Sequence, residues 1–332
     1  PQGLPLAVDP GVSRLEGGRV LVGGDPGTVL RLGAAGVRAV DELVSGVPVT
    51  LAARRLGRRL VEGGLAHPRP AGAGTADVTV VVPVRDRTAE LARCLAALGP
   101  DRAVIVVDDG SARPADVAAV CAAAGARLVR RPVGGGPAAA RNDGLAAVTT
   151  PLVAFLDSDC LPPPHWPAAL TGHFADPLVA AVAPRVVPVG GGDGLLARYA
   201  AARGPLDLAL RYGEDVDLVW RLGDAGWRVR YDPRDRVGHQ EPGNWAPWLA
   251  RRVAYGTSAA PLSRRHGHRV TPLVLQPWPA ASVLLLVHRP AAGAVVAAAG
   301  AARLHRRLRS TGLPPAACRR LAAGITGRAL TG

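Results

Sequence analysis

From Val78 onward, short apolar runs alternate with amphipathic stretches. This is the pattern of strands separated by helices in a mostly parallel sheet. Val78 to Val84 forms the first predicted strand and Thr88 to Leu98 its helix. Ala103 to Val107 is a second strand, closed by Asp108, Asp109, Gly110 and Ser111. A helix over Ala115 to Ala124 and a strand over Arg127 to Arg131 follow. Ala138 to Ala147 is helical and leads to the apolar run Leu152 to Leu156, bounded by Pro151 before it and acids after it. Leu178 to Val187 and Trp227 to Tyr231 supply further strands. Between these two, Val216, Leu218, Val219 and Leu222 set the apolar face of a helix that begins at Glu214.

The flanks have other rhythms. Residues 1–66 combine a short strand at Arg19 to Val22, a helix starting over Thr28 to Leu32, and a helix opened by Thr50. Leu56, Leu60, Val61 and Leu65 lie on the buried side of that last helix. Such pieces predict a small winged-helix-like module, and residues 67–76, rich in Pro, Gly and Ala, a linker. The α/β core is expected over 77–241 and a basic helical region over 242–332. In that last region Val283 to Val287 and Ala294 to Ala302 are apolar, but His288, Arg289 and Pro290 split them. Neither run reaches the ~20 residues of a membrane span.

Charge sharpens the division. The chain has 332 residues and a net charge of +14. Residues 1–241 hold 27 Arg against 26 acids, whereas residues 242–332 hold 13 Arg and no acid. A tail of this kind suits an anionic partner, and an anionic membrane surface is the candidate, with a plain solvated face as the alternative. Nucleic acid is not expected, because no nucleic-acid module is recognisable and aromatics are scarce. Arg54, Arg55, Arg58 and Arg59 cluster on one helix, where a solvated face is the simpler reading. Cys94, Cys121, Cys160 and Cys318 have no metal-ligand spacing; three sit in apolar surroundings and are expected to be buried thiols, and Cys160, which abuts the acidic motif, is expected to be structural or a spectator. No signal peptide is visible, and the expected location is the cytoplasm, with the inner face of the membrane as a candidate surface.

The candidate chemistry collects where strands end. Asp157 and Asp159 follow a buried strand two positions apart, a spacing that in extended chain points both carboxylates to one side. Two carboxylates at the carboxyl edge of an α/β sheet suit a hard divalent cation holding a diphosphate. A turn whose Asp and Ser cap the next element is the alternative. Asp108 and Asp109 end the second strand, where a carboxylate accepts from a base or a ribose hydroxyl. Gly134 to Gly136 run into a helix whose N-terminus suits a phosphate, with Arg141 on that helix. A flexible turn would also explain these glycines. A dinucleotide-binding oxidoreductase is disfavoured because the glycine loop follows the third strand, not the first.

In this order the motifs V-V-P-V-R at 81–85, V-V-D-D-G-S at 106–111, G-P-A-A-A-R-N at 136–142, F-L-D-S-D at 155–159 and Y-G-E-D-V-D-L-V-W-R-L at 212–222 resemble the family 2 glycosyltransferases. The likeness is strongest to mycofactocin-type members, through H-P-R-P at 67–70, W-L-A-R-R at 248–252 and A-Y-G-T-S-A-A-P-L-S at 254–263. The resemblance implies the nucleotide-sugar-binding fold called GT-A and an inverting transfer that depends on Mg²⁺ or Mn²⁺. It implies a nucleotide-sugar donor such as UDP-glucose, and an acceptor that is a peptide-derived redox cofactor or its β-1,4-glucan chain. By the same likeness, Pro83, Arg85, Asp108, Asp109, Arg141, Asn142 and Asp157 serve the nucleotide sugar. Asp159, Asp157 and His239 serve the metal, and Asp215 with Glu214 the catalysis.

General acid–base chemistry fits such a carboxylate, which takes the proton of the attacking hydroxyl; a cap at a helix N-terminus is the alternative role for Asp215. The N-terminal module looks like the peptide-binding modules of peptide-modifying pathways. The chain departs from the family by an apparent internal deletion near 208–209, where an acceptor-side strand is expected. A catalytically impaired relative that keeps donor or peptide binding, and a transferase acting on a membrane glycan or lipid-linked acceptor, are the alternatives.

Overall fold

The computed structural model of the chain describes residues 5–24, 28–46, 50–70, 77–189, 214–240, 246, 250, 257, 259–269, 277–310 and 312–331. The apparent deletion near 208–209 lies outside them, as do Tyr212 and Gly213. The chain divides into two compact units, Pro1–Pro68 with His266–Gly332, and Arg69–Arg265.

In the first unit β1 (Leu6–Val8) pairs antiparallel with β5 (Ala66–Pro68), and β2 (Ser13–Leu15), β3 (Val20–Gly23) and β4 (Thr28–Arg31) form an antiparallel meander. Helices α1 (Ala34–Ser45) and α2 (Leu51–Glu62) follow the meander, and Thr50 caps α2 by accepting from the Ala53 N–H at 3.3 Å. The helix expected from Thr28 is strand β4. Thr28 and Val29 are β-branched and pair with β3, and the helix starts only past Gly33. Alternation along β3 sends Leu21 into a core with Val40, Leu43 and Leu60, and sends Val20 and Val22 to the other face. There Leu313, Ala317 and Cys318 cover them.

The basic tail is therefore not a region apart. Its helices from His266 onward belong to the N-terminal unit, and Arg320 donates to Ser13 at 2.8 Å.

The second unit carries a four-stranded parallel sheet in the order β8 (Arg127–Arg131), β7 (Ala103–Asp109), β6 (Val78–Val84), β9 (Leu152–Phe155). β6 is almost continuously apolar because both faces are covered. Val80, Val82 and Val84 pack on α3 (Thr88–Leu98) and α4 (Pro114–Ala123), and Val81 packs on α5 (Pro137–Ala146). Gly144 makes the second contact possible, since a Cβ there would lie 2.3 Å from Val81. Helices on both faces of a parallel sheet give the α/β architecture expected from the sequence.

A second sheet has the order β10 (Cys160–Leu161), β12 (Arg228–Gln240), β11 (Val179–Val189), with β11 and β12 parallel. A short helix α6 (Ala168–Thr171) precedes β11, and α7 (Glu214–Asp224) precedes β12. β12 runs nine residues beyond the expected end at Tyr231, passing through a bulge after Asp232.

Helices α8 (Ala259–His266), α9 (Pro277–His288), α10 (Pro290–Ser310) and α11 (Pro315–Thr331) follow among the described residues. The break at Arg289 falls where the sequence places it. No helix among the described residues is long and apolar enough to cross a membrane. All four cysteines are free and buried.

Candidate active site at the carboxyl edge of the parallel sheet

The ends of β6, β7 and β9 and the start of α5 enclose a cleft of about 570 Å³. Pro83, Arg85, Asp109 and Asp157 line it as expected, together with Asp86, Arg87, Gly136 and Ser158. Asp108, Arg141, Asn142, Asp159, Asp215 and His239 are not on its wall.

Each aspartate at this edge has a distinct setting. Asp108 is fully buried, accepts from the Ser111 N–H at 2.9 Å and meets Arg130 at 3.1 Å. It closes the Asp-Gly-Ser turn and is not among the residues that line the cleft. Gly110 completes that turn at φ +77°, and a Cβ there would strike Gly134 at 2.7 Å. Asp109 accepts from the Gly135 and Gly136 N–H groups at 2.8 Å each and pairs with Arg131 at 2.9 Å. Two of the donors expected to cradle a phosphate are thus engaged by a carboxylate. The physical reason is proximity in the fold: a strand-end aspartate and a glycine loop in adjacent crossovers satisfy one another.

Asp157 and Asp159 do not follow strand alternation. β9 ends at Phe155, and the two acids lie in a turn closed by the Cys160 N–H on the Asp157 carbonyl at 3.0 Å. They therefore diverge. Asp157 faces the cleft and accepts from Arg141 at 2.7 Å. Asp159 turns inward, with 3% of its side chain exposed, and accepts from Arg87 at 2.6 Å. His239 reaches it because β12 pairs with β10 in the register Cys160 to His239; its Nε2 lies 3.5 Å from Asp159 Oδ1. Two carboxylates and an imidazole are donors that Mg²⁺ or Mn²⁺ accepts. Among the described residues, however, no three such side chains converge, since guanidiniums hold both acids. The donor set fits a divalent cation in chemistry, and its arrangement asks for the arginines to yield.

Two cysteines border the acids. Burial pushes the Cys94 thiol up to about 12, with the charges of Asp159 and Asp157 adding to it, and Cys160 is driven up by the same causes. Both are inert thiols rather than nucleophiles.

The expected catalytic residues stand at the start of α7. Glu214 opens the helix, and Asp215 accepts from the Val216 N–H at 2.8 Å. Asp217, one turn in, is buried between Arg221 at 3.0 Å and Arg265 at 2.9 Å. Asn142 is exposed on α5, away from the cleft.

Residues 79–219 match the family described as Glycosyl transferase family 2. The pre-mycofactocin glycosyltransferases of Mycobacterium tuberculosis strains CDC 1551 / Oshkosh and ATCC 25618 / H37Rv are each 40% identical to the chain over 316 residues. Residues 79–219 are a glycosyl transferase family 2 domain. The match covers 83% of the chain and 66% of each relative, so the chain spans somewhat under two thirds of their length. The alignment is longer than the share of this chain it occupies, so part of the relatives' aligned length has no counterpart here. The cleft lies within this match, at the edge where residues 106–111 and 155–159 of the chain meet.

Sequence reasoning missed Asp86 and Arg87. Asp86 adopts φ +56°, accepts from the Ala112 N–H at 2.7 Å and donates its own N–H to Ser111 at 2.9 Å. Its signal was the charged triplet Arg85-Asp86-Arg87 placed directly after a buried strand.

Proposed function

We propose that the chain transfers a hexose, with glucose from UDP-glucose as the leading donor, onto a hydroxyl of a peptide-derived redox cofactor of the mycofactocin type or its growing glucan. The observation that carries this reading is the cleft in which Asp109 and Asp157 share a wall with Arg85 and Arg87. A nucleoside diphosphate needs acceptors for its base and ribose and cations for its phosphates, and this wall offers both. The name of the relatives, pre-mycofactocin glycosyltransferase, supports an acceptor of the mycofactocin type.

In the inverting reaction Asp215 takes the proton of the acceptor hydroxyl as that oxygen attacks the anomeric carbon, with Glu214 beside it. Asp157, Asp159 and His239 would hold a Mg²⁺ or Mn²⁺, whose charge would stabilise the departing diphosphate. Asp109 keeps the glycine loop in place against the nucleotide, and Arg141 supports Asp157 from behind.

An anionic membrane surface is the second partner we assign. Leu284 and Val295 are 65% and 67% exposed on α9 and α10, and exposed Arg303, Arg306, Arg307 and Arg309 continue along α10. Apolar side chains beside a basic band suit contact with anionic head groups.

The test is nucleotide-sugar binding with and without Mn²⁺, followed by turnover. Asp159→Ala is expected to remove metal-dependent binding. Asp215→Asn is expected to keep binding and lower kcat by about 10²–10⁴-fold. Near-normal turnover in Asp215→Asn would overturn the base assignment. Metal-dependent binding without turnover in the unaltered chain favours the catalytically impaired relative, for which the supporting observation is the part of the relatives' aligned length that has no counterpart here.

A further inference from the structure

We propose that Arg87 is the resident counter-cation of Asp159, and that a divalent cation reaches this carboxylate only by displacing Arg87 onto the diphosphate it carries. The site would then take metal and nucleoside diphosphate together and resist the free metal. This rests on the donor-site reading above and assigns a positioning role to a residue outside the expected set.

A carboxylate as buried as Asp159 requires a positive partner, and the strongest one in place is the Arg87 guanidinium at 2.6 Å. The arginines that hold Asp109 and Asp108 are less free to leave. Arg131 bridges Asp109 and Asp143, and Arg130 supports an aspartate locked in the Asp-Gly-Ser turn.

Arg87 differs in three ways. It lines the cleft, it is 35% exposed, and it occupies the N-cap of α3. An arginine is a poor choice there. It makes no side-chain cap, and its charge faces the positive end of the helix dipole. A residue that breaks a local rule this plainly needs a compensating role. Asp86, pinned in the left-handed region by Ser111 and Ala112, aims the backbone so that Arg87 stands between the buried carboxylate and the cleft. A guanidinium released from Asp159 therefore enters the space a diphosphate would fill, where two phosphate oxygens suit its fork. Free Mn²⁺ would displace Arg87 with no anion to receive it. Mn²⁺ bound to a nucleoside diphosphate would supply that anion.

The experiment titrates Mn²⁺ against the full chain by the loss of the free-ion EPR signal, with and without UDP. The variants are Arg87→Gln, Arg87→Lys and the double variant Arg87→Gln/Asp159→Asn, each checked for folding by circular dichroism. In the unaltered chain UDP is expected to tighten Mn²⁺ binding at least tenfold. Arg87→Gln should bind Mn²⁺ alone at least tenfold more tightly than the unaltered chain, and UDP should then add less than threefold. Arg87→Lys, which keeps the charge, should fall between. The double variant should lose the gain.

Unchanged Mn²⁺ affinity in Arg87→Gln overturns the proposal while leaving the donor-site reading intact. So does a gain that survives in the double variant, because the new affinity would then not belong to Asp159. Should Arg87→Gln fail to fold, an Arg87→Lys variant with unaltered affinity overturns it in the same way. UDP binding that never responds to Mn²⁺ in the unaltered chain overturns both readings.

Discussion

Asp159 and Asp232 are both buried aspartates of the same unit, and both are held by arginine, yet their surroundings give them opposite roles. Asp159 ends a turn beside a cleft, and its guanidinium partner stands on the cleft wall. Asp232 sits at the bulge of β12 with none of its side chain exposed, meeting His173 at 2.9 Å and the Arg234 Nε at 2.9 Å. The backbone N–H of Arg234 adds a third contact at 3.1 Å. Nothing in that arrangement opens onto the cleft. The bulge leaves ladder groups unpaired, and the Asp232 carboxylate meets one of them. Asp176 repeats the pattern nearby, accepting from Arg228 at 2.8 Å and Arg230 at 3.0 Å and joining the start of β12 to the turn before β11. The ion pair alone therefore does not mark a functional site. What separates the two cases is whether the cationic partner has somewhere else to go.

The largest effect that tests this contrast is on stability. Asp232→Asn would leave the buried His173 and the Arg234 side chain without their anion, at a cost of about 3–5 kcal/mol. Chemical denaturation should show that loss as a lower midpoint with an unchanged slope. If Asp232→Asn cost less than about 1 kcal/mol, the bulge would not depend on the carboxylate and the contrast with Asp159 would collapse.

How far the sequence carries this picture depends on range. The β6 to β9 sheet was legible because its strands are short apolar runs with turn residues at fixed ends, a signal that depends only on neighbours in the chain. The Gly144 contact and the Asp109 hold on the glycine loop join separate crossovers, so no local pattern announces them. The D-x-D geometry failed for a related reason. Alternation applies to extended chain, and the turn after Phe155 removes it. β12 runs on past the expected end at Tyr231 because Pro233 lies in a bulge that the sheet absorbs. The union of the basic helices with the N-terminal module was hidden as well. Val20 and Val22 look like half of an ordinary alternating strand, and only packing reveals what covers them.

A smaller effect is expected on acidification. Burial alone would raise the Asp232 carboxyl, but the hydrogen bonds from Arg234 and His173 hold it well below the usual carboxylate range. Asp176 is likewise held below its ordinary value, with burial opposed by the Leu178 N–H and the Arg228 and Arg230 guanidiniums. Both groups have a folded-state pKa below that of the unfolded chain, so the unfolded state takes up more protons as pH falls. Their stabilisation is complete above the unfolded carboxylate value of roughly 4, and is lost as pH drops below it. The melting temperature should be level from neutral pH down to mildly acidic pH and should fall below that. Asp232→Asn should flatten the acid limb, and an equally steep limb in that variant would assign the acid sensitivity to other carboxylates.

The smallest stability effect belongs to the cleft. Asp157 is 25% exposed and lies on the cleft wall, so water can replace much of what its pair with Arg141 supplies. Asp157→Asn should cost no more than about 1 kcal/mol of stability, because the pair is in part open to water at the cleft. It should nevertheless weaken metal-dependent nucleotide binding, because Asp157 is the acid of the D-x-D turn that faces the cleft. Measured together, Asp157→Asn and Asp232→Asn should separate cleanly, one losing ligand with little stability and the other losing stability first. If Asp157→Asn instead lost several kcal/mol and retained nucleotide affinity, its pair with Arg141 would be a structural strut like that of Asp232. The donor site would then have to be sought among Arg85, Arg87 and Asp159.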